Sequence, residues 1–442
     1  MKKTIYIILL ASLVGACSNK ENAVPSQAEM SAARAKLAFT CTHEADHLPP
    51  LDPEVDQLFK YGLYLEKLDG PKDFDAAARY YRIAAAYGHY KANHNLQLLV
   101  SQGSAKSPDA PNETIDLAEQ LIKANIPGGY YDMGHYLELG YGVRRNEDTA
   151  RRFLRKAADM GNPEAQAYVG DLLEPLDKAP EIARQMRQCA TDQGYGDAAS
   201  TLGIDLKTDK LYLEALKAFQ KGVEAGDTQS ALALEGGFSP PSGGDIGRPP
   251  GDQLYYLALP VDAERARRYK LIGDFIDDND GRNPKVPDID KIVPLPPAKL
   301  PPWDGTFQWQ KEQDAAVPPQ KPSDELINRL SHEKNLDPAT GLPLPQQPQH
   351  TSQADSAPVL EANLPLGTTS RSGAACPQRG AWCADIPAGK VADKRWSLGK
   401  GDIFPALTVY HPRVFAWLDN LLPIRKETVA VTWKLMAYLD QA

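Results

Sequence analysis

The sequence predicts a mainly α protein: an α-solenoid of helix–turn–helix repeats, then a proline-rich extended segment and a small C-terminal β-rich module. Three observations predict it. Helix-closing residues Gly88, Asn125, Gly161, Gly194 and Gly226 follow one another at steps of 37, 36, 33 and 32 residues. Each closes a run with apolar residues at helical spacing, and a period in the thirties with two helices per unit is the mark of a solenoid. Past residue 282 prolines crowd the chain, and the last seventy residues carry β-branched and aromatic runs.

The chain opens with Met1-Lys2-Lys3, an uncharged apolar run from Thr4 to Val14, and Gly15-Ala16-Cys17. A basic start, a short apolar run and small residues at its end mark a secretory signal, and the run is too short to span a bilayer. The pattern resembles the bacterial lipobox, which implies cleavage within 1–17 and lipidation of Cys17. An ordinary cleaved signal with an incidental cysteine is the alternative. Ser18 comes next, and by analogy with lipoprotein sorting the absence of Asp there implies an outer-membrane anchor facing the periplasm.

Composition narrows the partners. The 442 residues carry a formal net charge of −9 with both signs mixed throughout, so no basic stripe offers itself to nucleic acid. Besides Cys17, the cysteines Cys41, Cys189, Cys376 and Cys383 make an even set suited to an oxidising compartment. Cys376 and Cys383 are seven apart and flank Gly380 and Trp382, which points to a local staple and leaves Cys41 for Cys189. A metal site on Cys376 and Cys383 is the rival, and it lacks a second nearby pair.

Residues 18–50 read as a polar tether and N-terminal arm. The arm holds the one catalytic-looking motif, His43-Glu44-Ala45-Asp46-His47, which satisfies H-E-x-x-H. Zinc hydrolysis needs both histidines on one helical face with Glu44 as general base. Pro49 and Pro50 stop any helix there, so His43 and His47 are weak metal candidates and a polar arm tied down by Cys41 is the plainer reading.

Residues 51–282 read as the solenoid. In its clearest unit, Tyr131 to Gly142 forms a first helix ending at Gly140 and Gly142. Ala150 to Gly161 forms the second, with Ala157 and Ala158 just before the close. Gly62, Gly134, Gly170 and Gly203 recur inside the helices; a mid-helix glycine costs about 1 kcal/mol against alanine, so its recurrence implies close helix approach. Ser239 to Gly251 reads as a long loop interrupting the array, with a capping helix from Val261 to Ile272. Tyr80, Tyr81 and Tyr87 read as core by default.

Residues 283–342 read as extended chain laid across the solenoid, pinned by Trp303, Phe307 and Trp309, with one short helix from Ser323 to Asn335. Residues 343–372 read as a flexible linker. In 373–442, Trp396-Ser-Leu, a Gly399–Asp402 turn, Phe404 to Tyr410 and Thr428 to Leu435 read as a small antiparallel sheet.

Two parts of the chain resemble known families. The Leu-Gly-Tyr-Gly-Val loop at 139–143 and the Lys-Ala-Ala-x-x-Gly ending at 156–161 resemble the Sel-like branch of the tetratricopeptide superfamily. The match is strong for 130–175, clear for 57–92 and 196–226, and degenerate for 112–128. The Cys-Pro-x-x-Gly-x-Trp run at 376–382 and the Pro301–Phe307 segment resemble immunity-type lipoproteins encoded with type VI secretion effectors. That resemblance implies a non-enzymatic, cofactor-free binder of a lipase-type toxin, acting by occluding it. No nucleophile elbow, phosphate loop or dinucleotide fingerprint argues for catalysis. An envelope scaffold and a zinc hydrolase using His43 and His47 are the competing functions.

Overall fold

The structure is a computed structural model. It describes Ser31 and residues 35–68, 70–175, 178–241, 243–344, 364–365, 367–385, 395–411 and 425–438. Cys17 and Ser18 lie outside the described residues, as does most of the expected linker. Residues Met1–Ala38 form one unit and Phe39–Ala442 another, and the repeats, the proline-rich segment and the β-rich module all belong to the second. Among the described residues no helix is long and apolar enough to cross a membrane.

Among the described residues, twelve helices pair into six consecutive hairpins. They are α1 (Pro53–Lys67) with α2 (Phe74–Ala86), α3 (Tyr90–Ser101) with α4 (Ala110–Lys123), and α5 (Pro127–Leu139) with α6 (Glu147–Asp159). Then come α7 (Pro163–Leu173) with α8 (Pro180–Asp192), α9 (Gly196–Thr208) with α10 (Tyr212–Glu224), and α11 (Thr228–Phe238) with α12 (Ala263–Asp278). Local chemistry sets the boundaries. Asn146, Asn162 and Asp227 cap α6, α7 and α11 by accepting hydrogen bonds from the Thr149, Ala165 and Ser230 amides. The junctions between hairpins turn through left-handed residues: Gly88 at φ 81°, Gly161 at 95°, Gly194 at 82° and Gly226 at 81°. Asn125 takes the same role at φ 57°, which Asn tolerates better than other non-glycine residues.

Within hairpins, glycine meets bulk. A Cβ at Gly62 would stand 2.8 Å from the Tyr81 ring, at Gly134 2.6 Å from Leu154, and at Gly203 2.5 Å from Phe219. Gly170 faces the Ala183 carbonyl and the Arg187 stem. Ala157 and Ala158 are fully buried with Leu154, Val169 and Met186. Tyr80 and Tyr81 are core; Tyr87 is half-buried, its hydroxyl donating to the Leu330 carbonyl and Glu333. The loop from 239 to 262 lies inside the sixth hairpin, so the array continues past it.

The proline-rich segment is a strap. It holds a short turn of helix, α13 (Ile289–Ile292), then α14 (Gln308–Ala315) and α15 (Asp324–Glu333). Val286, Ile289, Ile292, Val293 and Phe307 share one core with Phe219, Tyr269 and Ile272. Phe307 stacks on Phe275 at 3.9 Å, and Trp309 meets Phe275 edge-on at 5.9 Å. A proline-rich chain offers carbonyls and few N–H groups. Two buried arginines of α12 answer them: Arg265 donates to the Pro294 and Ala298 carbonyls, Arg268 to Ile292 at 2.8 Å and Pro301 at 2.9 Å. Glu264 holds Arg267 and Arg268, and their hydrogen bonds pull its pKa down to about 2. Ser323 caps α15, accepting from the Leu326 amide. Past α15 the chain returns to α2, where Arg79 donates to the Pro338 carbonyl and Arg82 to Thr340.

The β-rich module has strands β1 (Thr369–Arg371), β2 (Gly380–Asp385), β3 (Arg395–Leu398), β4 (Leu407–His411), β5 (Arg425–Val429) and β6 (Thr432–Tyr438). β1, β6, β2 and β3 form an antiparallel sheet in that order, and β4 pairs with β5. The run expected as one strand from Thr428 to Leu435 thus breaks, because β5 joins β4 while β6 runs between β1 and β2. Trp382, Phe404 and Trp433 form its core, with Trp382 edge-on to Phe404 at 4.7 Å.

The local staple expected between Cys376 and Cys383 is corrected: no disulfide joins them. Cys376 is buried with Trp382 and Ala384, and its thiol donates to the Gln378 carbonyl at 3.0 Å. Side chains alternate along β2, so Cys383 stands on the face opposite Trp382 and Ala384. Cys376, before β2, packs against the Trp382 face of the sheet, while Cys383 stands on the other face.

Candidate protein-binding groove

The first helices of the third, fourth and fifth hairpins line a groove. Tyr131 of α5, Glu164, Tyr168 and Asp171 of α7, and Asp197 and Thr201 of α9 face one cleft of about 120 Å³, with Tyr195 beside α9 and Arg187 in its wall. His135 sits between two of these rings, 4.6 Å from Tyr131 and 4.9 Å from Tyr168, edge-on to both. Tyr168 donates to Glu138 at 3.0 Å. Burial, with Glu164 and neighbouring acids, holds the Tyr131 and Tyr195 hydroxyls far above their ordinary pKa, so both stay neutral. Arg187 is wholly buried and engages Asp171, Glu174 and Asp205. Asp171 is thus ion-paired with Arg187, and Glu164 and Asp197 line the cleft beside it.

The same series of first helices carries exposed aliphatic side chains, one for each of five helices: Leu98, Leu139, Leu172, Ile204 and Leu232. Leu139, Leu172 and Ile204 lie five, two and one positions past Gly134, Gly170 and Gly203, and all three are exposed. Exposed aliphatics repeating helix by helix beside tyrosines fit a protein-binding face better than a solvated one.

The N-terminal arm runs along the edge made by the hairpin junctions. Cys41 is bonded to Cys189 of α8. Gln166 donates to the Thr42 carbonyl at 3.0 Å, the Glu44 amide donates to Gln193 at 2.8 Å, and Gln193 donates to the Gly161 carbonyl and to Gln166. The Glu44 carboxylate accepts from Asn162. Its pKa is raised, chiefly by burial; Glu164 and Asp132 add to this, while Asn162 and His94 oppose it. His94 on α3 faces Asp132 at 3.3 Å. Burial would lower its pKa, but Asp132, Glu164 and Glu44 outweigh that and push it to about 9.

The H-E-x-x-H reading has no geometry behind it. Glu44–His47 form a single 3₁₀ turn with no buried residue, and Glu44 is engaged by Asn162 rather than turned to His43 or His47. Cys41, His43 and Cys189 lie close enough to share an ion, but the two sulfurs are consumed by their disulfide. Gly140 and Gly142 turn the third hairpin at φ 71° and 66°, so they shape the array and not the groove.

Sequence reading missed the groove residues themselves. One signal for them was present: Glu164 and Asp197 stand 33 residues apart, one repeat step, at the same turn of successive first helices. A larger hollow of about 1600 Å³ lies between α4, α6, Leu336 and the module's Trp396, over which Arg144 sits at 5.2 Å.

Three solved structures from Pseudomonas aeruginosa are similar to this chain. The protein titled Pseudomonas aeruginosa 5086 is 30% identical, with 59% of this chain and 95% of that one covered and a TM-score of 0.47. Immunity protein Pa5087 is 31% identical, with coverages of 59% and 95% and a TM-score of 0.47. Immunity protein PA5088 is 28% identical, with coverages of 59% and 94% and a TM-score of 0.48. Residues 230–344 match a family described as a domain of unknown function, DUF6396. That span runs from α11 through α15, so the last hairpin and its strap recur together. No curated protein matches the chain.

Proposed function

The chain belongs to the family of Pseudomonas aeruginosa 5086 and immunity protein Pa5087, and from that premise we propose that it is an immunity protein that neutralises a toxin by binding it. The observation that carries this is the identity to Pa5087 across 95% of that protein's length. The groove gives the binding a place: a rigid face with tyrosines, carboxylates and repeating aliphatics, and no assembled catalytic set among the described residues.

The finer reading rests on the sequence. Cys17 ends a lipobox-like signal, so the protein is anchored by lipid to the outer membrane and faces the periplasm. The toxin is a lipase-type effector delivered by a type VI system, and the anchor keeps the inhibitor beside the lipids under attack. Neutralisation is by occlusion, with the groove covering the toxin's active-site mouth or its membrane-binding face.

The test is protection. Cells exposed to the cognate toxin should survive when the full chain is produced and die when residues 1–17 are deleted. Purified chain should inhibit that toxin at a one-to-one ratio. Inhibition far below stoichiometry would return the hydrolase reading. Failure to bind the toxin would leave the envelope scaffold as the better function.

A further inference from the structure

We propose that the cleft between Tyr131, Tyr168 and Tyr195 is a cation cage that receives one arginine or lysine side chain of the protein partner. The proposal rests on reading the groove as the binding face and adds the chemistry that the partner must present.

Three features converge. The first is size: a cleft of about 120 Å³ suits one charged head group and not a folded segment. The second is its wall. Three tyrosines from two helices and a helix start surround it, and aromatic rings attract a cation seated against them. Two of their hydroxyls are spoken for: Tyr168 donates to Glu138 and Tyr195 is 3.4 Å from Asp197, so these rings are held in place by partners outside the ring faces. The third is charge. Asp171 is matched by Arg187, whereas Glu164 takes only the Asn162 amide and Asp197 only the Tyr195 hydroxyl among the side-chain partners described. The cleft thus combines tyrosine rings with an excess of carboxylates over cations: Glu164, Asp171 and Asp197 line it against the single guanidinium of Arg187, which favours a cation over an anion.

The alternative occupant of an aromatic cage is a quaternary ammonium, as on a choline lipid. Exposed aliphatics recur on the first helices of five hairpins, Leu139 and Ile204 among them, and offer contact area beyond one head group. That favours a protein partner.

The experiment is a titration of the purified full-length chain with acetyl-Gly-Arg-Gly-amide, followed by the ring signals of ¹³C-tyrosine. The same peptide with citrulline for arginine, and choline chloride, are titrated in parallel. The arginine peptide should shift a small set of tyrosine signals saturably, and the citrulline peptide should not. Combining Glu164→Gln with Asp197→Asn should weaken binding about tenfold or more, since both attractive charges are gone. Glu181→Gln, on the exposed start of α8, should leave it unchanged, and circular dichroism should show all variants folded. Absence of saturable binding, equal binding of citrulline, or full binding by the double variant would each overturn the proposal. Binding of choline in preference to the arginine peptide would overturn it in favour of a lipid head group. The cage and the immunity function fail separately. If the double variant still neutralises the cognate toxin fully, the cage falls and the immunity function stands. If the peptide binds but no toxin is neutralised, the reverse holds.

Discussion

His94 shows how one side chain reports on a whole face. Burial would depress its pKa, yet Asp132, Glu164 and Glu44 outweigh that and carry it from the ordinary 6.5 to about 9. A raised histidine stabilises the fold fully below its unfolded value and loses that contribution as pH climbs through its folded value. The thermal midpoint of the wild type should therefore exceed that of His94→Gln at pH 6, and the gap should close by about pH 9.5. A gap independent of pH would mean that the imidazolium contributes nothing. Glycines offer a second residue-scale comparison. Gly194 and Gly161 share a left-handed backbone, but a Cβ at Gly194 meets nothing within 4 Å while one at Gly161 would stand 2.4 Å from the His43 carbonyl carbon. Gly194→Ala should cost about 1 kcal/mol from backbone alone. Gly161→Ala should cost roughly 2–3 kcal/mol or release the arm. Equal losses in urea titrations would show that the arm does not press on that turn.

At the scale of elements, the arm and the strap hold down what the repeats leave open. The Cys41–Cys189 bond closes a separation of 148 residues. Replacing both cysteines by serine should lower stability by roughly 2–4 kcal/mol and expose residues 39–47 to proteolysis. The module behaves differently. Peptide mapping under non-reducing conditions should recover a Cys41–Cys189 pair and no Cys376–Cys383 pair; alkylation should reach buried Cys376 only after unfolding. Sequence misleads at that pair because spacing along a chain says nothing of which side of a sheet each sulfur takes. The junction residues are easier. Few residues besides glycine and asparagine tolerate a left-handed turn, so Gly88, Asn125, Gly161, Gly194 and Gly226 announce themselves. The strap is half legible: its prolines and aromatics are visible, but α14 and the carbonyl-binding Arg265 and Arg268 are not, since an arginine on an amphipathic helix looks solvent-facing until the strap is laid over it. Arg268→Met should therefore destabilise the fold by about 2 kcal/mol or more, by leaving the Ile292 and Pro301 carbonyls without their donor.

For the whole molecule, the array of hairpins is readable from periodicity, and the groove is not. Three hairpins contribute side chains to the cleft, so Tyr131, Glu164, Tyr168 and Asp197 become neighbours only after they stack. What keeps them neighbours is the tied edge. An untied solenoid is a spring: each hairpin touches only the next, and small rotations accumulate into changes of pitch. Here the arm stitches the α6–α7 junction to the α8–α9 junction through Thr42, Glu44, Gln166 and Gln193. Lys285 and Val286 stitch the α10 end to the strap through the Ala225 and Glu224 carbonyls. Stitches along one side of a spring fix its pitch while leaving the other side bare. The bare side then keeps one curvature whether or not anything rests against it, and its shape is set before any contact is made.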